Sequence, residues 1–516
     1  MDSFPWLTVL WAVPLAGALV TTFAPKGLLA KQVALVASLL TLAVGVVLAT
    51  QFDKDGSGFQ LEETHTWIKA FGVHYALGLD GLGLLLVLLT VVLVPIVLLA
   101  GWNDSPLDEC KPWFAWALAL EALSLAVFVA TDVFLFYVVF EATLIPAYFL
   151  IGGFGRSRRG AAALKFLMFQ LGGGLVLLGS VIGLYVVSAQ QGSPSYLFGD
   201  VQDLDISTNA GRWLFAGFFI AFAVKAPLFP LHTWLADTTE QATPPTSVLL
   251  VCVLDKIGTF GMLRFCLGLF PEASDWATPV VVVLALISIV YGAFLAIAQD
   301  DILRLIGLTS LSHFGFITLG IFVFTTEGAN GSILYMVNHG IATAALFLIA
   351  GFLIKRRGTT LMSQMGGLEK VQPVIAGLFL VAALATAGLP GLSQFVSEIL
   401  VLISAFDYRW YVGAIAVTAI VLAAIYMLWA YQKMFTGPNP DSLQVEVEAG
   451  GDGVADLGRR EIGVLVPLML ALVLFGFYPG PLLDVSNPFS EELLQHTGVN
   501  DDGPQVPAEA SSEGGQ

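Results

Sequence analysis

The sequence has few charged residues and few cysteines. Charged side chains make up 12% of its 516 residues, against about 25% in soluble proteins. The three cysteines, Cys110, Cys252 and Cys266, form no CxxC pair, so an iron–sulfur cluster or a zinc site is not indicated. No glycine-rich phosphate loop follows a strand, and no basic patch suits nucleic acid. Any redox chemistry linked to this chain must therefore take place on another chain.

Long apolar runs fill the chain instead, and 57% of its residues are hydrophobic. Runs of roughly 18 or more apolar residues are typical of membrane-spanning helices, whereas barrel strands are short and alternate in polarity. We predict an all-α polytopic membrane protein embedded in a lipid bilayer, with about 14 transmembrane helices. They cover 5–24, 31–50, 80–100, 113–130, 132–153, 162–188, 212–235, 244–270, 277–298, 302–325, 331–354, 371–404, 410–433 and 461–483.

Two of these segments, predicted helices 7 and 12, are interrupted. FAVKAPLFPLHTW (222–234) contains Pro227 and Pro230, and AGLPGLSQFVSEIL (387–400) contains Pro390. Broken helices at matching positions of two halves are typical of inverted-repeat transporters. We therefore predict two inverted five-helix repeats, formed by helices 4–8 and 9–13.

This interpretation divides the chain into six parts. They are an N-terminal group of three helices (1–112), the first repeat (113–270), the second repeat (277–433), an acidic cytoplasmic loop (434–460), the last helix (461–484) and a polar, disordered tail (485–516).

Ionisable residues lie deep in these apolar helices, where a charge is costly and by default marks a functional site. The six main candidates are Glu141, Lys225, Lys256, His313, His339 and Glu398. Carboxylates, amines and imidazoles at similar depth can pass a proton from one to the next. The sequence therefore predicts a proton relay through the membrane.

Three further residues have an alternative interpretation. Lys165 lies close to the RSRRG loop and can extend to the membrane surface instead of joining the relay. Glu121 is either a relay group or a structural hydrogen-bond partner. His232 either passes protons onward from Lys225 or caps carbonyls that the prolines leave free.

The prolines explain why a lysine lies in a broken helix. Pro227 cannot donate a hydrogen bond to the carbonyl of Ala223. Free backbone is tolerated in a membrane only where protein covers it or water reaches it. We therefore expect a hydrated hinge beside the Lys225 amine.

Four motifs resemble one known family. VKAPLFPLHTWLADTTEQATPPTS, DDILRLIGLTSLSHFGFI, YMVNHGIATAALFLIAG and AGLPGLSQFVSE are similar to the proton-translocating, antiporter-like family. It comprises large membrane subunits of respiratory complex I and of multisubunit cation/proton antiporters. DVFLFYVVFEATLIPAYFLIGGFG and the context of Glu398 resemble the subunit M type of NADH:quinone oxidoreductase in particular.

The resemblance implies a role for each relay candidate. It implies that Glu141 and Lys225 form an ion pair between helices 5 and 7, and that Lys256 is the central relay group. His313 and His339 would continue the relay, and Glu398 on the second broken helix would be the terminal proton site. Trp234-Leu235-Ala236-Asp237-Thr238-Thr239 departs from the usual WLPDAH, which leaves any role of Asp237 open.

The resemblance also implies partners and a location. The expected partners are the other membrane subunits of complex I, including two homologous antiporter-like subunits, with flavin, iron–sulfur clusters and quinone in partner chains and no cofactor here. If both termini lie outside a bacterial inner membrane, most basic loop residues fall on the cytoplasmic side, as is usual in membrane proteins. We therefore predict this topology. A cation/proton antiporter subunit and a non-conducting membrane scaffold are the alternatives.

Overall fold

The structure is a computed structural model that describes residues 4–107, 109–192, 194–438 and 455–499. Within these ranges, twelve helices are long and apolar enough to cross a membrane. They are Trp6–Phe23, Gly27–Gln51, Gly81–Asn103, Lys111–Val129, Val133–Phe154, Arg159–Gln190, Pro244–Leu267, Pro271–Ile297, Ile302–Phe322, Thr326–Arg357, Trp410–Phe435 and Arg459–Phe477. The predicted helical membrane fold is therefore confirmed.

Both predicted breaks are present. The first broken segment consists of helices Thr208–Lys225 and Thr233–Gln241. The second broken segment consists of Pro373–Thr386 and Ser393–Tyr408. Their four pieces are shorter or less apolar than the twelve helices above, so the total of 14 crossings and the inverted repeat remain predictions.

Three helices form the inside of the bundle. In Pro244–Leu267, Ile302–Phe322 and Thr326–Arg357, between 94% and 100% of the residues in the most apolar stretch are buried. The corresponding share is 33% in Trp6–Phe23 and Arg459–Phe477. The outer helices expose apolar side chains such as Leu19 and Phe477, as a lipid-facing surface requires. The inner helices contain Lys256, His313 and His339, so these polar groups are shielded by protein on every side.

Helix ends follow local sequence signals. Asp80 accepts a hydrogen bond from the amide of Gly83, and Asp132 accepts one from that of Leu135, which satisfies donors that a helix start leaves free. Gly358, with φ of 65°, ends the long helix that begins at Thr326 in the left-handed conformation that glycine adopts readily.

A β-hairpin adds to the predicted helices. Strands Gln60–Ile68 and Val73–Leu79 pair antiparallel. Thr64, Thr66, Trp67 and Ile68 in QLEETHTWI are residue types that are enriched in strands. The sequence analysis assigned no structure between helices 2 and 3, because it considered only long apolar runs.

The predicted disordered tail is wrong in its first part. Within the predicted tail, residues 485–496 belong to the helix Gly480–His496. Ser486 and Ser490 each donate a hydrogen bond to the side-chain oxygen of Asn330 at 2.8 Å, and Leu493 and Leu494 are buried. These contacts order a helix whose composition alone is too polar to indicate one. Residues 500–516 of the tail and 439–454 of the acidic loop lie outside the described residues.

A buried ion pair joins two inner elements at one end of the bundle. Arg264 and Asp80 are each 4% exposed, and their side chains approach to 2.7 Å. The Arg264 guanidinium also lies 4.6 Å from the ring centre of Phe59 and 5.2 Å from that of Phe260. Arg264 lies within the predicted helix 244–270, and the structure places its side chain inside the protein.

Replacing Arg264 by methionine should destabilise the protein by roughly 3–5 kcal/mol, because Asp80 would become a buried charge without its partner. The midpoint of thermal unfolding in detergent should fall by several degrees. Arg409→Met, at an exposed position, is the control and should leave the midpoint nearly unchanged. Equal midpoints for the two variants would contradict a structural role for the pair.

Candidate functional site

The first break ends a helix directly at a lysine. The amide of Ala226 donates to the carbonyl of Phe222 at 2.7 Å, and that of Leu228 donates to the carbonyl of Ala223 at 3.0 Å. The indole of Trp234 donates to the carbonyl of Val224 at 3.1 Å. Protein groups therefore satisfy the carbonyl of Ala223 that Pro227 leaves free, so this carbonyl does not need His232 as a cap.

Lys225 is completely buried at the end of this helix. Its Nζ donates a hydrogen bond to Thr143 Oγ1 at 3.1 Å and lies 4.6 Å from the centre of the Phe140 ring. Thr143 is the point at which the helix Val133–Phe154 divides into two regular stretches. A hydroxyl and an aromatic face stabilise the ammonium but do not neutralise it.

Glu141 lies two residues before Thr143 and interacts electrostatically with Lys225. Among the described residues, no ion pair within 4.0 Å joins them, and Glu141 Oε1 has no hydrogen-bond partner. The ion pair that the resemblance implies is therefore not formed in this structure. Thr143 holds the lysine instead, and the sequence analysis did not identify this threonine.

A glycine makes room for the Glu141 carboxylate. A Cβ atom added at Gly174 would lie 1.7 Å from Glu141 Oε1. Any larger residue at this position would therefore have to displace the end of the glutamate side chain. Gly172, on the same helix, has no atom within 4 Å of an added Cβ.

Lys256 is in direct contact with His339. Its Nζ lies 2.6 Å from His339 Nδ1 and 4.4 Å from the centre of the Phe314 ring. Lys256 and His339 both have 0% exposure. The predicted link between the lysine and histidine helices is thus a single hydrogen bond in the protein interior.

The two histidines face each other across a short gap. The ring centres of His313 and His339 are 5.2 Å apart. The Nε2 atom of each ring is buried and, within the described residues, has no hydrogen-bond partner. Two unpartnered ring nitrogens at this separation provide polar groups that one small molecule such as water could bridge.

A tyrosine connects the second histidine to the last carboxylate. Tyr335 Oη lies 2.8 Å from His313 Nδ1 and donates to Glu398 Oε1 at 2.9 Å. The amide of Gln394 lies 3.2 Å from both His313 Nδ1 and Glu398 Oε1. His313, Tyr335 and Glu398 therefore form a continuous hydrogen-bonded chain that Gln394 braces.

The second break positions Glu398. The regular helix stops at Thr386 and restarts at Ser393, with Pro390 between. Gly388 has φ of 73°, and a Cβ atom there would lie 2.0 Å from Glu398 Oε2. Glu398, like Glu141, thus lies against a glycine.

Tyr335 and Gln394 were missed from the sequence, although a spacing signal exists. Tyr335 lies four residues before His339, and Gln394 lies four residues before Glu398. Residues four apart share a face of a helix. Applying this rule to each buried titratable residue would have identified both groups.

Lys165 and His232 lie away from the hydrogen-bonded chain of side chains. Lys165 donates to Asp237 at 2.6 Å, and both side chains are 36% exposed, so Lys165 belongs to a surface cluster with Asp237 and Arg304. His232 packs between the rings of Phe229 and Tyr291.

Glu121 is 1% exposed. Neither of its carboxylate oxygens has a hydrogen-bond partner among the described residues. Its predicted structural hydrogen bond is therefore not present in this structure.

Comparison with known proteins now places the chain in a family. The family model described as NADH:quinone oxidoreductase/Mrp antiporter, TM, matches residues 130–423, a range that contains all six relay candidates. The chain belongs to this family. The family's two branches leave open which type of complex the chain serves.

Two curated relatives share most of their length with this chain. The NADH-quinone oxidoreductase subunit M of Mycobacterium tuberculosis (strain ATCC 25618 / H37Rv) is 48% identical, covering 98% of this chain and 97% of the relative. Subunit M of Rhodobacter capsulatus is 35% identical, covering 95% and 96%. Both relatives belong to the oxidoreductase branch of the family.

Solved structures agree in fold. A chain of respiratory complex I from Thermus thermophilus with bound NADH matches with a TM-score of 0.86 at 32% identity, covering 96% of this chain and 100% of that chain. A chain of the Mrp complex from Dietzia sp. DQ12-45-1b matches with 0.83 at 23% identity, covering 95% and 98%. The second likeness supports the fold alone.

Replacing Gly174 by alanine should displace the Glu141 carboxylate without unfolding the protein, because the clash is with the flexible end of one side chain. We expect an unchanged thermal midpoint and clearly reduced proton translocation, measured in vesicles. Gly172→Ala is the matched control and should behave like the wild type. Normal translocation in Gly174→Ala would contradict the assigned position of Glu141.

Proposed function

We propose that this chain is a proton-translocating membrane-arm subunit of an NADH:quinone oxidoreductase. The observation that carries the proposal is the buried polar chain from Lys256 through His339, His313 and Tyr335 to Glu398. Its one gap lies between the two histidine rings. Polar groups in the centre of a membrane bundle are costly, and by default they mark a path for protons or ions. The 48% identity to subunit M supports the oxidoreductase branch.

The pair of Lys225 and Glu141 acts as the switch. A carboxylate beside the ammonium favours the charged lysine, whereas the Thr143 hydroxyl does not neutralise the charge. Lys225 bonds to Thr143 here, so this structure represents the open state. When the Lys225 amine moves to Glu141, the pair closes and the lysine keeps its proton. When the amine moves back to Thr143, it releases the proton toward Lys256.

The proton then follows the hydrogen-bonded chain. Lys256 gives its proton to His339 Nδ1, and the Nε2 atoms of His339 and His313 exchange one across the gap. His313 Nδ1–H donates to the Tyr335 oxygen while the Tyr335 O–H donates to Glu398 Oε1. Each transfer breaks one N–H or O–H bond and forms another, so no charge accumulates at the tyrosine.

The energy scale of the switch matches its task. Moving one charge against about 150 mV requires roughly 3.5 kcal/mol. Breaking one buried ion pair typically costs 3–5 kcal/mol. The free energy needed to open one pair is therefore comparable with that needed to move one proton.

In this proposal quinone reduction in partner subunits supplies the energy. Flavin, iron–sulfur clusters and quinone belong to those chains, and this chain contributes translocation to the enzyme complex. Its partners are the other membrane subunits, two homologous antiporter-like chains among them. It resides in a bacterial inner membrane with both termini outside.

A subunit of a multisubunit cation/proton antiporter is the second candidate function. The family description names the Mrp antiporter, and the Dietzia chain supports a shared fold. In an antiporter the same relay would exchange protons for another cation without electron transfer. Co-purification with redox subunits would favour the first function, and their absence from the purified complex would favour the second.

Lys225→Ala and Glu141→Gln should leave the complex assembled and NADH oxidation present, but lower the number of protons moved per electron. Each change removes one partner of the switch. The measurement compares a pH-sensitive dye signal in inverted vesicles with NADH oxidation in the same sample. Lys69→Ala, at an exposed lysine in the loop between the two hairpin strands, is the control. A normal proton-to-electron ratio in both variants would support a non-conducting scaffold instead.

Tyr335→Phe should reduce translocation roughly tenfold, since a lost hydrogen bond to a charged group is worth about 1.5–3 kcal/mol. The ring remains, and Gln394 still contacts both His313 and Glu398, so the complex should still assemble. Tyr411→Phe, at an exposed tyrosine, should have no effect on the same vesicle assay. Wild-type pumping by Tyr335→Phe would mean that protons bypass the tyrosine.

A further inference from the structure

A buried carboxylate outside the relay described above lies next to Lys256. Asp255 has 0% exposure. Neither of its carboxylate oxygens has a hydrogen-bond partner in the described part of the chain. A buried carboxylate without any partner costs several kcal/mol, so a residue in this state requires an explanation.

Local backbone structure does not explain it. The Asp255 amide donates to the carbonyl of Leu250 at 2.9 Å, five residues earlier, within the wide turns of the π-helix Leu249–Leu254. The regular α-helix resumes at Lys256. The Asp255 side chain accepts no backbone amide hydrogen bond here, so it does not cap that helix. Single π-turns occur most often at functional sites.

Packing orients Asp255 toward the first broken segment. Asp255 and Gly258 share a helix face, because they are three residues apart. A Cβ atom at Gly258 would lie 2.4 Å from the Ala226 amide nitrogen and 2.6 Å from the Phe222 carbonyl oxygen. The end of the helix that bears Lys225 therefore rests directly on the face that bears Asp255.

Charge links Asp255 to both lysines. The carboxylate interacts electrostatically with Lys225 and with Lys256. The other buried titratable groups on elements packed against this helix are Glu121, on Lys111–Val129, His313, on Ile302–Phe322, and His339. Asp255 is thus the acidic group that the two relay lysines share.

We propose that Asp255 is the shared counter-ion of Lys225 and Lys256, which stabilises one proton on the lysine pair and allows it to pass from the first to the second. This rests on the proposed function. With Asp255 ionised, one protonated lysine makes the group of three neutral, so the proton can change lysines without leaving a net buried charge. In the transfer one N–H bond at Lys225 breaks and one forms at Lys256.

The test uses the complete complex in inverted vesicles. Asp255→Asn keeps the size of the side chain but removes its charge, and should lower the proton-to-electron ratio as far as Lys225→Ala does. Asp255→Glu keeps the charge and should retain most of the ratio. Asp275→Asn, at an exposed aspartate on Pro271–Ile297, is the control for loss of an acidic residue and should pump normally.

A second variant keeps the test decisive if Asp255→Asn fails to assemble. Asp255→Leu replaces the carboxylate by an apolar side chain with the same number of non-hydrogen atoms, so it leaves no unpaired polar atom at position 255. It should assemble and pump as poorly as we expect of Asp255→Asn. A normal ratio per assembled complex in either variant overturns the counter-ion, even if less complex is made.

Lys225→Ala, measured in parallel, separates the two levels of the argument. If Lys225→Ala stops pumping while Asp255→Asn pumps normally, the counter-ion is wrong and the proposed function stands. If both pump normally, the proposed function fails with it. Loss of pumping in Lys225→Ala and Asp255→Asn, with recovery in Asp255→Glu, supports the counter-ion.

Discussion

Two lysine ammonium groups buried among apolar helices are the constraint on which the rest of the structure depends. Lys225 and Lys256 both have 0% exposure, and a charge in this position is costly without a partner. The structure gives Lys225 a hydroxyl and an aromatic face and gives Lys256 an imidazole. None of these partners carries a permanent negative charge. Neither lysine is therefore held by a carboxylate in direct contact with it.

Glycines and broken helices make this arrangement geometrically possible. Each relay carboxylate, Glu141 and Glu398, lies against a glycine that could not accept a Cβ atom without moving it. The breaks are closed by protein hydrogen bonds, so they need not be flexible to exist in a membrane. The first break ends a helix at Lys225, and the second allows Glu398 to meet Tyr335.

Much of this could be predicted from the sequence, because membrane helices and deep charges are visible in composition alone. The helices, both breaks and the buried positions of Lys256, His313 and Glu398 were predicted in this way. Contact was not predictable, since depth along a helix says nothing about which face a side chain occupies. Thr143 was missed because a hydroxyl is ordinary in a helix, and the sequence gives no reason to pair Asp255 with Lys256, because adjacent helical residues do not face each other. An electrostatic interaction over a longer distance does not require two side chains to face each other.

The central claim is that Lys225 has two positions, one on Thr143 and one on Glu141. The most direct test is the distance between Lys225 Nζ and the nearest Glu141 oxygen, determined by electron cryomicroscopy of the complex at rest and during turnover. The account predicts two populations, one bonded to Thr143 and one within 4 Å of Glu141, whose proportions change with turnover. A single lysine position in every state would contradict it.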